Sequence, residues 1–222
     1  EEQPAVRPPD AVTQDCSLTL RLRLAAVDAE AFDLLKITSR AVREMSEGEL
    51  LQIEKARRLD ITEEVYFDII RRKTASLLAA CCACGAASAG ADDDTVQKMW
   101  GLGERVGLAF QIQDDLLDLG EGDRTGKPTG QDIRERKMTL PLIHTLAKAT
   151  PSERRRLIRL VKHKSEDPAA VKEVMDAILD GPGMERARSE MRRLKEESLS
   201  LLDELGGHDT VSTEAREALR DL

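Results

Sequence analysis

The chain has 222 residues, enough for one large domain or two small ones, and its 41% of hydrophobic residues can bury a continuous core. Acidic residues outnumber basic ones by 42 to 34, so the net charge of -8 repels nucleic acid on average, and a polyanionic ligand needs a local cationic site. With 34% charged but only 2% aromatic residues, the composition excludes an ordinary β-sandwich or barrel and favours long helices filled with Ala, Leu, Ile and Val.

Residues 1 to about 16 are rich in Pro, Asp and Gln without an apolar period and read as a loose arm. The amino end lacks the basic-then-apolar layout of a signal peptide, and no apolar run reaches the ~18 residues of a membrane span, so a cytoplasmic protein is expected. Apolar spacing predicts a helix over Leu18 to Leu35 and a stronger one over Asp33 to Leu59, whose Leu35, Ile37, Val42, Met45, Leu50, Leu51 and Ile53 form one broad apolar face. Thr62 with Glu63 and Glu64 signals an N-cap, opening a helix through EEVYFDIIRRKTASLLAACCACGA. Three of the four cysteines, Cys81, Cys82 and Cys84, sit in its Ala-rich end. A lone CxxC without a second pair or a nearby His is poor evidence for zinc or redox chemistry, so they are expected to be small packing residues.

Gly90 ends that helix, and Asp92, Asp93 and Asp94 start the next, which runs to Gly120. The stretch from Gly120 to Lys137 has no period and is unusually long for a loop in a compact domain, which marks it as functional. Pro141 sits at a helix start, and the remainder of the chain reads as three or so amphipathic helices, divided by SEDP and by Gly181 to Gly183.

Chemistry concentrates in FQIQDDLLDL, where Gln111, Asp114, Asp115 and Asp118 fall at i, i+3, i+4 and i+7 on one helical stripe. Leu108, Phe110, Ile112, Leu116 and Leu117 around them are apolar, so the acids are costly unless paired or metal-bound. They also lie in the last turns of their helix, where negative charge opposes the helix dipole. Mg²⁺ held by aspartates and by substrate phosphate oxygens answers both problems. The run Asp92 to Asp94 is read differently, as capping at a helix start. The loop after the acids carries Arg124, Lys127, Arg134, Arg136 and Lys137, a phosphate-binding composition. It is not a Walker A loop, because Glu121 stands where the first Gly belongs and Pro128 follows the lysine. Lys73 in RRKTASL is either a helix-surface charge paired with Asp68 or Glu64, or a diphosphate ligand. His144, His163 and His208 have no ligand spacing and read as surface or packing residues.

Four ordered strings, MSEGELLQIE, RRKTASL, GLAFQIQDDLLDL and GKPTGQDIRERKMTLPLI, resemble the trans-isoprenyl diphosphate synthases, also called polyprenyl synthetases, from about Asp33 onward. The resemblance implies an all-α bundle of long helices around a central cavity, usually a homodimer, which joins isopentenyl diphosphate to an allylic diphosphate. It implies Mg²⁺ on Asp114, Asp115 and Asp118 as the second aspartate-rich motif. It further implies Lys73, Lys127 and Lys137 on the leaving diphosphate, Thr74 and Gln111 as polar contacts beside the allylic cation, and a cation–π contribution from Phe110.

The chain departs from the family's pattern at its amino end, where residues 1–27 form an atypical arm ahead of the helical domain 28–222 and contain no DDxxD. Asp10, Asp15, Arg21 and Arg23 there are given no role. Arg136 stands before Lys137 where many members have Gly, and Leu222 falls short of the usual last helix. The expected reading is an enzyme whose recorded chain omits residues of the working protein. The alternatives are a non-catalytic or regulatory subunit of a heteromeric synthase and a class I terpene cyclase, the latter disfavoured by GKPTG and RKMTLP.

Overall fold

A computed structural model describes residues 32–56, 61–120 and 129–205, and every regular element among them is helical. The predicted arm, the helix from Leu18 up to residue 31, and His208 lie outside the described residues. α1 spans Phe32–Ala56. After Thr62, whose hydroxyl accepts from the Val65 N–H as its cap, α2 covers Glu63–Ile70. The chain continues through one π-helical turn, Arg71–Ala75, into α3, Ser76–Ser88. α4 spans Asp93–Asp118, with the Asp92 carboxylate accepting from Thr95 N–H as predicted from its Asp-rich start. α5 is the single turn Gln131–Arg134. α6 (Leu140–Lys148), α7 (Pro151–His163), α8 (Pro168–Leu179) and α9 (Gly183–Leu205) complete the described chain.

Three features differ from the sequence expectation. The helix through RRKTASL is interrupted by the π turn. The long loop contains α5, and the last third holds four helices rather than three, because Thr150 and Glu153 form a capping box with Pro151 at the first helical position.

α4 packs against α3 and α9, and α1 packs against α3 and the π turn. Small residues permit the closest approach. A Cβ at Gly107 of α4 would stand 2.5 Å from the Ala75 Cα, so only glycine lets the backbones meet there. Ile112 and Leu116, at 0% and 1% exposure, anchor α4 in the main core. Burial of each contributes about 1.5–3 kcal/mol and fixes the rotation that turns Asp114 outward. A second, smaller core joins Ala41 of α1 to Ala79, Ala80, Ala83, Val96 and Trp100, with the Arg40 guanidinium 3.8 Å above the Trp100 ring.

Two packing expectations change. The broad apolar face of α1 is not buried among the described residues: Leu50 is 68% exposed and Ile53 49%, because α1 meets its neighbours through Ala41 and Gly48 instead. The alanines of α3 enter the core, but Cys81 is exposed and Cys82 and Cys84 are half-buried, all as free thiols.

An ion-pair chain invisible in the sequence ties the ends of this bundle together. Glu63 at the start of α2 accepts from Arg186 and lies 2.8 Å from His144 Nδ1. Arg186 also donates to Glu190, Glu190 accepts from Arg193, Arg193 donates to Glu197, and Glu197 accepts from Arg105 of α4. His144 is thus a half-buried partner of an acid rather than a plain packing residue. No helix among the described residues is long and apolar enough to cross a membrane.

Candidate active site

α4, the π turn and the segment after α5 face a cavity of about 390 Å³. Its walls include Lys73, Thr74, Gln111, Asp114, Asp115 and Lys137, together with Tyr66, Gln52, Arg136 and Met138. Six residues singled out from three separate stretches of sequence therefore meet in one place. Lys127 lies outside the described residues.

The three aspartates share a stripe but not a role. Asp114 is exposed at the cavity wall, and no hydrogen bond or ion pair engages it among the described residues. Asp115 is only 4% exposed. Its Oδ2 accepts from the Tyr66 hydroxyl at 2.7 Å and from the Leu140 N–H at 3.3 Å, and its Oδ1 from Gln111 Nε2 at 3.4 Å. Burial raises its pKa to about 7, helped by the negative charge of Asp132 and opposed by those hydrogen bonds. Burial and the same carboxylate push the Tyr66 phenol well above its ordinary value. Asp118 accepts from the N–H groups of Gln131 and Asp132 at 2.9 and 3.0 Å, capping α5 across the loop. The acids at the end of α4 thus find much of their compensation inside the chain, and no group of three or more Asp, Glu, His or Cys among the described residues is arranged to hold a metal alone.

The cations are held at the rim. Lys73 Nζ lies 2.7 Å from both Gln52 Oε1 and Glu49 Oε2 of α1, not from Asp68 or Glu64. Asp68 is taken by Arg72 and Arg71. The π turn produces this arrangement by shifting the phase of the helix at Lys73, and α1 comes close enough because Gly48 has no side chain. A Cβ there would stand 2.7 Å from Lys73 N. Lys137 Nζ sits 2.9 Å from Asp132 and 2.8 Å from Glu135. Burial works against its charge, but the two carboxylates more than compensate and its pKa is raised.

A polar relay crosses the floor. Thr74 Oγ1 donates to Gln111 Oε1 at 3.2 Å, and the Gln111 amide donates onward to Asp115. Tyr66, Glu49 and Gln52 join the site without having been singled out from sequence. Glu49 and Gln52 stand in MSEGELLQIE, one of the quoted strings, whereas Tyr66 is 49 residues from Asp115 with no local signal.

Chemically, the site offers one carboxylate free of partners among the described residues, lysines and an arginine, and oriented hydroxyl and amide groups beside apolar Ile69, Ile70 and Met138, whereas Phe110 lines a separate cavity with Leu78 and Leu102. That combination suits a Mg²⁺-bridged diphosphate on an apolar chain.

Comparison with known proteins agrees. The sequence profile of the polyprenyl synthetase family matches residues 10–178. The short chain isoprenyl diphosphate synthase of Methanocaldococcus jannaschii is 34% identical over 72% of this chain and 48% of its own length. Heptaprenyl diphosphate synthase component 2 of Geobacillus stearothermophilus is 35% identical over 84% of this chain and 56% of its own. The crystal structure of polyprenyl synthase from Caulobacter crescentus CB15, complexed with calcium and isoprenyl diphosphate, superposes with a TM-score of 0.76 at 32% identity, covering 86% of this chain and 57% of that one. The chain spans about half the length of the curated relatives it matches. With the all-helical bundle and the family profile in agreement, the chain belongs to the polyprenyl synthetase family.

Proposed function

We propose that this protein binds an allylic diphosphate in the cavity between α4 and the π turn and condenses it with isopentenyl diphosphate, lengthening a linear prenyl diphosphate. The observation that carries the reading is the convergence of Lys73, Thr74, Gln111, Asp114, Asp115 and Lys137 on one cavity. Asp114 would hold Mg²⁺ together with the diphosphate's own oxygens, with Asp115 and Asp118 as the acids behind it. Mg²⁺ ordinarily takes one or two carboxylates, waters and substrate phosphates, so a single free carboxylate fits a shared site rather than an all-protein cage. When bound, the ion supplies charge neutralisation for the departing diphosphate.

The chain's own residues account for the rest. Lys73 and Lys137 donate to diphosphate oxygens as charge builds on them, with Lys127 assigned to the same set from sequence. Thr74 and Gln111, linked to Asp115, hold their polar atoms in fixed orientation next to the ionising carbon. Ile69, Ile70 and Met138 are the apolar part of the cavity wall and would keep water from the cation. The carbon–oxygen bond of the allylic diphosphate breaks, the double bond of isopentenyl diphosphate forms the new carbon–carbon bond, and loss of a proton restores an alkene with release of inorganic diphosphate.

A second reading, a subunit that completes or regulates a partner synthase, draws on the likeness to a protein named as component 2 of a heptaprenyl diphosphate synthase. The two are separated by assaying the chain with radiolabelled isopentenyl diphosphate, alone and with a full-length synthase. Labelled linear prenyl diphosphates from the chain alone, as a homodimer, support the first reading. Product formed only in the mixture, by a co-purifying heteromer, supports the second, and no effect in either arm removes both.

A further inference from the structure

Three cations among the described residues line the candidate active site, and two already have acidic partners. Lys73 is paired with Glu49, and Lys137 with Asp132 and Glu135. Each must loosen or share a carboxylate before it serves an incoming anion. Arg136 differs. Its Nε donates to the Ser165 hydroxyl at 3.2 Å, and no carboxylate pairs with it among the described residues. Arg136 lines the cavity, and no hydrogen bond or ion pair to the described residues commits the terminal nitrogens of its guanidinium.

The backbone makes the placement more informative. Arg136 has φ of 58°, the only positive value at a non-glycine position among the described residues. It follows the last turn of α5, where a left-handed residue commonly closes a helix and glycine adopts that conformation at no cost. An arginine there costs about 1–2 kcal/mol of backbone strain. Strained non-glycine residues of this kind cluster at binding sites, where the side chain gains something the backbone loses. Packing does not supply that gain, because Arg136 is exposed.

We propose that Arg136 is a further anion-binding residue of this cavity, the cation that receives the diphosphate first because no carboxylate among the described residues holds it. A guanidinium presents paired N–H donors to two phosphate oxygens at once, a geometry a lysine cannot match. The ligand class rests on the function proposed above; the placement and strain of Arg136 do not.

The test is calorimetric titration of the full chain with inorganic diphosphate in the presence of Mg²⁺, alongside thermal unfolding. Arg136→Gly relieves the strain, so its melting temperature should equal or exceed that of the native chain while its affinity falls by about tenfold, the loss expected for a charge-assisted pair. Arg136→Gln keeps the strain and removes the charge, and should lose affinity by the same factor without gaining stability. Arg136→Lys should fall between Arg136→Gln and the native chain. Native affinity in both Arg136→Gly and Arg136→Gln overturns the assignment alone. Absence of diphosphate binding by the native chain overturns it together with the proposed function.

Discussion

The floor and the rim of the candidate active-site cavity are built on opposite terms. On the floor, Asp115 is buried, accepts three hydrogen bonds and joins α2, α4 and α6 through Tyr66, Gln111 and Leu140. At the rim, Asp114, Lys73, Arg136 and Lys137 reach solvent, and their charges are either free or balanced by movable side chains. One turn of helix thus carries an acid that holds the protein together and an acid available to something else. The contrast teaches that a carboxylate cluster read as one ligand set can divide its work, with burial deciding the division.

The sharpest way to break this comparison is to remove the floor. Asp115→Leu strands the Tyr66 hydroxyl and the Leu140 N–H, so a loss of about 2–4 kcal/mol in chemical denaturation is expected. Asp114→Leu, at the exposed neighbouring position, should stay within about 0.5 kcal/mol of the native chain. Equal losses at the two positions would erase the distinction.

Next in size is the pH dependence of that floor, measured without divalent cation. Because the folded pKa of Asp115 is raised from the ordinary 3.8 to about 7, the native state binds a proton that the unfolded chain has released. The contribution is therefore fully present below pH 3.8, declines as pH rises, and levels off above about 7. Stability should fall by at most about 1.4 kcal/mol per pH unit within that window, and Asp115→Asn should flatten the slope. An unchanged slope in the variant would place the titrating group elsewhere.

A third effect tests the wall that positions both regions. Gly107→Ala sets a methyl group against Ala75 and should cost about 1–3 kcal/mol by overpacking. The smallest effect is expected on the outer face of α1, where Leu50→Ala should change stability by no more than about 0.5 kcal/mol. A large loss there would mean that the exposed face is covered in solution.

Much of this architecture was legible in sequence because it is local. The caps at Thr62 and Asp92, the run of α4, the proline start of α6 and the break at SEDP are written in neighbouring residues. The α5 turn was not legible, since its cap is Asp118, which reaches it from 13 residues away across the loop. The π turn escaped as well: its Lys73 backbone lies against Gly48 of α1, a contact no helical periodicity encodes. At the site, the acid stripe and the lysines were readable from charge and spacing. The division between Asp114 and Asp115 was not, because it depends on Tyr66 and Leu140 arriving from other helices.

The central claim, that the rim holds diphosphate through a cation shared with Asp114, is tested most directly by titrating Mg²⁺ into the chain with and without inorganic diphosphate. The account predicts weak Mg²⁺ binding alone, strong binding with diphosphate, and a joint loss of at least about tenfold in Asp114→Asn and in Lys73→Ala, in proportion to the charge-assisted contacts removed. Diphosphate binding that is independent of Mg²⁺ and indifferent to both substitutions would contradict it.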